Sequence, residues 1–293
     1  MPVIESLPAE GSKKMAKSIL HLGSRLDVFE QDRSEISSAV SAVVVDYEQA
    51  FRIQFDTLVS FFPSVLKTLH GFDVKSMKGL QIRTSAVADI EQPISVLAAT
   101  AAIRKPKLSL RKSYLDALLS IYYSLPEPPD PLRTDRDALF VGIQREGRIL
   151  AETLGWLPEG HSIVPDAKRM FHEGLIVGLS GMPKEDRRWK KVVIIDGAIA
   201  SGATIVAVMC ALRLQENCIV KIYSAHATES GVRAIACVAK RLKLQVAISV
   251  GYISGALNKE FYAVQNGPLG SQLVVGDLGD TIAQLAKPKK TTA

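Results

Sequence analysis

Beyond Asp137 the chain alternates between two apolar patterns. ALFVGI, LIVGL, KKVVIID, CIVKIYSA and LQVAISV are short runs suited to strands buried on both faces. Between most of them, GRILAETLGWL, TIVAVMCALRL and SGVRAIACVAKRL have the length and spacing of helices of about three turns. Strands alternating with helices predict a parallel α/β sheet flanked by helices, with ligands at the carboxyl ends of the strands.

Upstream the pattern changes to helical spacing. Between about Asp27 and Phe72 the positions Val43, Tyr47, Phe51, Phe55 and Leu58 share one face of a helix. A second helical run, SLRKSYLDALLSIYYSL, starts at a capping serine, Ser109, and ends at the proline cluster PEPPDP. The chain therefore divides into a helical N-terminal extension, residues 1–90, with a packing or oligomer-forming role, and an α/β domain, residues 91–293.

Composition narrows the classes. The 293 residues, 47% hydrophobic and 23% charged, describe a folded chain with a generous core. No apolar run reaches the roughly 18 residues that a spanning helix needs. The opening MPVIESLPAEGSKKMAKSIL has no continuous apolar stretch and carries Glu5 and Glu10, against a secretory or mitochondrial presequence, so a cytoplasmic protein without a membrane partner is expected. Cys210, Cys218 and Cys237 lack metal-ligand spacing and are odd in number, which reads as buried small hydrophobes. His161, His172 and His226 likewise have no metal-like spacing. A net charge of +6 suits an anionic partner. The basic residues lack an RNP pattern or zinc-finger spacing, so nucleic acid is disfavoured against a phosphorylated substrate.

The stretch VVIIDGAIASGAT, residues 192–204, carries the most chemistry. Val192 to Ile195 read as a buried strand, Asp196 emerges at its end, and small residues lead into a helix near Ile205. Converging backbone N–H groups and the positive end of that helix make a phosphate cradle from Ala200, Ser201, Gly202, Ala203 and Thr204, with the Thr204 hydroxyl as an added donor. Asp196 and Gly197 lie beside it, where an acid suits sugar hydroxyls. The ligand that needs both is a sugar phosphate. The spacing is neither G-x-G-x-x-G nor a Walker loop.

This stretch resembles the phosphoribosyl-diphosphate loop of type I phosphoribosyltransferases, in the uracil phosphoribosyltransferase form with a single Asp. FVGIQREGRILAETLGWLP is similar to the family's strand-loop-helix that carries a pyrophosphate-binding arginine, here Arg145. DAKRMFHEG stands where a second such arginine is found, here Arg169. ALNKEFYAV followed by VVGDLGD is similar to the base-binding segment. The likeness spans about residues 92–285 and implies a homodimeric, Mg²⁺-dependent enzyme. Its reaction would be transfer of ribose 5-phosphate from phosphoribosyl diphosphate to uracil or a related heterocycle, with release of pyrophosphate.

The resemblance implies Asp196, Arg145 and Asp277 as the catalytic set. Arg145, Arg169, Asp196, Gly197, the 200–204 loop and Asp277 would hold the donor, and Tyr262, Ala263, Gly276, Asp277 and Leu278 the base. Four features depart from the family pattern. Glu146 brings a negative charge beside Arg145. DGAI replaces a proline-containing turn and predicts a looser start to the loop. The acidic pair expected after Arg169 is missing. QNGPLGSQL lengthens the hood over the base. A regulatory protein of the same fold, binding a nucleotide and touching RNA through its basic surface, is the alternative that Glu146 favours.

Overall fold

The computed structural model describes residues 18–22, 28–31, 44, 48–49, 53–101, 108–131, 135, 137–144, 146–171, 174–183, 189–212, 214–254, 256–258, 261, 263–266 and 272–274. Its centre is a parallel sheet built from β4 (Leu80–Thr84), β5 (Leu139–Gly142), β6 (Ser162–Ile163), β9 (Lys191–Ile195), β11 (Ile219–Thr228) and β12 (Gln245–Ser254). The strand order is β4-β12-β11-β9-β5-β6, and the short β10 (Ala198–Ile199) pairs with the far end of β11. All of these pairings are parallel.

Strands with no polar face must be covered on both sides, and they are. Val192 and Ile194 of β9 enter one core, together with α1 (Pro63–His70), α5 (Ala203–Ala211) and α6 (Glu229–Arg241). Val193 and Ile195 enter the other, beneath α2 (Val87–Ala101), α3 (Leu108–Tyr123) and α4 (Glu146–Thr153). The helix expected from Ser109 thus begins at Leu108, and the runs read as GRILAETLGWL, TIVAVMCALRL and SGVRAIACVAKRL are α4, α5 and α6. The three cysteines are buried, as expected.

Two expectations are corrected. LIVGL forms β8 (Leu175–Ser180), but outside the parallel sheet. It belongs to a second sheet of order β2-β1-β3-β8-β7, from β1 (Ser18–Leu22), β2 (Val28–Gln31), β3 (Thr57–Phe61) and β7 (Asp166–Phe171). There it pairs antiparallel with both β3 and β7. The helix expected across residues 27–72 is met at the described residues 44, 48 and 49 and at Pro63–His70, but 28–31 and 57–61 are strand. Along β3, Val59 and Phe61 enter the main core while Leu58 joins Phe55 in a separate cluster with Met170 and Ile176. That alternation is the period of two of a strand, and Pro63, at the first turn of α1, starts the helix only after it. Val43, Tyr47 and Phe51 lie outside the described residues. The parallel sheet also draws on residues before 90, since β4 pairs with β12.

A third, antiparallel sheet of β13 (Ala256–Leu257), β14 (Ala263–Asn266) and β15 (Gln272–Val274) follows β12. Among the described residues no helix is long and apolar enough to cross a membrane.

Candidate functional site

Strands β5 and β9 are neighbours, yet their exits diverge. The turn after β5 leads into α4 on one face of the sheet, and the loop after β9 leads into α5 on the other. A sheet opens a crevice at such a switch point, beyond the carboxyl ends of the strands. Asp196 stands there. Its backbone N–H donates to the Tyr223 carbonyl at 3.0 Å, and its Oδ1 accepts the Gly197 N–H at 2.9 Å. The buried phenol of Tyr122, from α3, donates to the Asp196 carbonyl. Burial raises the carboxyl of Asp196 to about 7, while the Gly197 N–H and the positive charge of Arg169 pull the other way.

The loop is tightly tied. Ala198 and Ile199 pair with His226 and Ala227 of β11, so the turn expected to be loose is held as strand. The Gly197 carbonyl accepts from the Ala225 N–H at 3.2 Å and the Ser224 hydroxyl at 3.0 Å. Thr228, which caps α6 through the Gly231 N–H, also donates its hydroxyl to the Ala200 carbonyl at 2.6 Å. The Ser201 hydroxyl accepts the Ala203 N–H at 3.3 Å. Gly202 caps α5 at φ +76°, and a Cβ there would lie 2.6 Å from the Gly231 carbonyl oxygen. Thr204 is half-buried in the first turn of α5. The loop that follows Asp196 thus leads into the N-terminal, positive end of α5, a position that favours an anion.

Arg169 reaches this region from the second sheet. It sits on β7, half-buried, and its charge bears on Asp196. The structure thus brings together Asp196, Gly197, the 200–204 loop and Arg169. Ala263 is buried at the start of β14. Arg145, Tyr262, Gly276, Asp277 and Leu278 lie outside the described residues.

Several groups at the site were not singled out as site residues from sequence. Glu146, the first residue of α4, is only 6% exposed. Its side chain lies against Gly197 so closely that a Cβ on that glycine would fall 2.0 Å from the Glu146 carboxyl carbon. Its charge bears on the phenols of Tyr122 and Tyr252, both raised chiefly by burial. His70, at the end of α1, meets the Ser201 carbonyl through Nε2 at 3.1 Å, and burial lowers its pKa. Phe261 approaches the ring of His70 at 6.3 Å and lies near-parallel to Phe171 at 6.3 Å. The chain after β12 and the end of β7 therefore meet over the loop. Single tyrosines in apolar runs carry no spacing signal; Glu146 stood out in sequence as a charge beside Arg145, but its contact with Gly197 needs the two strand exits to be adjacent and was not legible in the pattern.

No family model matches the chain, and no curated protein does. Solved structures match at a distance. The AQ2163 protein from Aquifex aeolicus is 21% identical over 68% of this chain and 96% of its own, with a TM-score of 0.43. Adenine phosphoribosyltransferase from Rhodothermus marinus is 15% identical over 55% of this chain and 99% of its own, TM-score 0.32. Orotate phosphoribosyltransferase from Aeropyrum pernix is 15% identical over 51% and 78%, TM-score 0.31.

Proposed function

We propose that the chain is a type I phosphoribosyltransferase, moving ribose 5-phosphate from phosphoribosyl diphosphate to uracil or a related heterocycle and releasing pyrophosphate. One observation carries the reading: a carboxylate at the sheet's switch point stands beside a helix N-terminus entered through a loop of small residues. An acid next to a phosphate cradle suits a ligand that brings hydroxyls and phosphate together, as a ribose phosphate does.

On this reading the 200–204 backbone and the start of α5 bind the 5-phosphate. Asp196 takes the ribose hydroxyls and steadies the positive charge that develops at C1 as the C1–O bond to the leaving group breaks. Arg169 and Arg145 neutralise the departing pyrophosphate. Mg²⁺ favours phosphate oxygens plus one or two carboxylates. Asp277, as the resemblance implies, would face a metal carried by the diphosphate, and that metal would supply further charge neutralisation. The backbone around Ala263 would border the acceptor.

Calorimetric titration with phosphoribosyl diphosphate and Mg²⁺ tests the donor assignment. A panel of pyrimidines, purines and small heteroaromatic acids, followed by pyrophosphate release and product mass, tests the transfer. Donor binding with turnover of one acceptor is expected. The buried carboxylate of Glu146 against Gly197 favours a second reading, a regulatory nucleotide-binding protein of the same fold. Tight RNA binding without turnover of any acceptor would select it.

A further inference from the structure

Two polar side chains at the carboxyl end of the parallel sheet each carry a buried atom that meets no hydrogen-bonding group. His226 and Tyr252 are paired in register across β11 and β12, their ring centroids 4.5 Å apart and their planes tilted by 39°. His226 is 2% exposed. Its Nε2 shares a 2.8 Å hydrogen bond with the Ser254 hydroxyl, while its Nδ1 meets no hydrogen-bonding group. The hydroxyl of Tyr252 is also buried and unmet.

Their position ties them to the site. His226 pairs with Ala198, two residues past Asp196, and Tyr252 packs against the same core as Tyr122's ring. The Glu146 carboxylate, which lies on Gly197, is near enough for its charge to act on the Tyr252 phenol. A purely structural core at this level would place phenylalanine at 252, because an unmet hydroxyl carries a desolvation penalty that an apolar ring does not.

We propose that His226 and Tyr252 form a polar subsite that reads the acceptor, taking a contiguous N–H and C=O edge of a neutral, lactam-type heterocycle. This rests on the phosphoribosyl-transfer reading for the role of the bound molecule. Burial keeps the imidazole neutral by lowering its pKa to about 4. A neutral imidazole that donates Nε2–H to Ser254 offers Nδ1 as an acceptor; one that accepts from Ser254 offers Nδ1–H as a donor. The phenol can take either complementary role, so the pair matches one donor and one acceptor in both tautomers. The neighbouring Glu146 carboxylate disfavours a ring that carries its own carboxylate.

The test uses the full chain with Mg²⁺, titrated calorimetrically with phosphoribosyl diphosphate and, separately with donor present, with uracil and with orotate. Uracil should bind the wild type at least about ten-fold tighter than orotate. Tyr252→Phe should weaken uracil about ten-fold or more, the loss expected when a site built to hydrogen-bond its ligand is deprived of that bond. It should leave donor affinity unchanged and melt no lower than the wild type, because the deleted hydroxyl has no partner in the protein. His226→Gln should weaken uracil similarly. Unchanged uracil affinity in Tyr252→Phe, or no binding of uracil by the wild type at millimolar concentration, would overturn the proposal. So would a lowered melting temperature with the uracil-to-orotate ratio unaltered, which would make the hydroxyl structural. The donor titration separates the two claims: donor binding without uracil binding sinks the subsite alone, and loss of donor binding sinks the transfer reading.

Discussion

Replacing Asp196 by asparagine should make the protein more stable and less active, and the stability gain should depend on pH. Burial raises this carboxyl from 3.8 to about 7. At about 1.4 kcal/mol per pKa unit the cost of ionising it in the fold is on the order of 4 kcal/mol. The partial exposure of the residue trims that to a few kcal/mol. The sign follows from proton binding. Between about pH 4 and 7 the unfolded chain has released this proton while the folded one still holds it, so stability is fully present below about pH 4 and lost as pH rises through about 7. Asparagine carries no such proton. The Asp196→Asn melting temperature should therefore match the wild type near pH 4 and exceed it by several degrees at pH 8. Turnover should move in the opposite direction. Loss of one preorganised charge at C1 costs about 2–4 kcal/mol, a fall of about thirty-fold to a thousand-fold, with donor affinity changed far less. Thermal melts from pH 4 to 8, calorimetry and turnover read all three quantities. Equal melting at both ends of that range would refute the buried-carboxyl argument, and full activity would remove Asp196 from the chemistry. Equal losses in binding and rate would reduce it to a sugar anchor.

Other perturbations discriminate structure from function. Gly202→Ala should cost about 1–3 kcal/mol through the left-handed backbone and the 2.6 Å approach to Gly231, so any loss of donor binding would follow the loss of fold, visible in the melt. Thr204→Val is the cleaner probe: its melting should stay near wild type while calorimetry reports weaker donor binding, and unchanged affinity would clear Thr204 of the phosphate role. Asp135, fully buried, bonds Lys191 at 3.1 Å and Lys221 at 2.9 Å. Asp135→Ala should cost about 3–5 kcal/mol in chemical denaturation. Burial opposes the ionisation of Asp135, but the two lysines and the Asp130 N–H prevail and lower its pKa. The wild type therefore keeps this stability above the ordinary carboxyl value of about 3.9 and loses it as pH falls further. His226, held neutral with a pKa of about 4, should give imidazole NMR signals that stay constant from pH 8 to 5.5; a midpoint near 6.5 would show that water reaches it.

The alternation of apolar strands and helices after Asp137 was legible because each element there carries its own pattern. KKVVIID has no polar face and lies at the middle of the sheet, with a core on either side. LIVGL has the same composition and went elsewhere, since a short apolar run says that a strand is buried but not in which sheet. Residues 57–61 were harder. Phe55 and Leu58 fit a helical spacing and also share one cluster in the fold, so contact on one face was read correctly while the conformation was not. Asp196 could be singled out as a candidate because it interrupts an apolar strand end with a charge. Tyr122, His226 and Tyr252 could not, because they become a group only when β10, β11, β12 and α3 are laid side by side.

The small residues of GAIASGAT looked like one device and are several. Gly197 leaves room for the Glu146 side chain, whose carboxyl carbon a Cβ would meet at 2.0 Å. Gly202 supplies a left-handed cap to α5 and a close approach to Gly231, and Gly231 in turn leaves room for the Ala200 carbonyl, 2.4 Å from where its own Cβ would fall. Gly147 permits the start of α4 to approach the Ile195 carbonyl, 2.3 Å from where its Cβ would be. Each of these glycines is accounted for by packing between the strand exits, with no ligand invoked. On the phosphoribosyltransferase reading proposed above, the phosphate role would fall on what remains, the backbone of Ala200–Thr204 and the positive end of α5. Glycine in such a loop therefore says less about a phosphate than its position does: the Gly197 and Gly147 contacts bring the loop and α4 together where β5 and β9 leave toward opposite faces of the sheet.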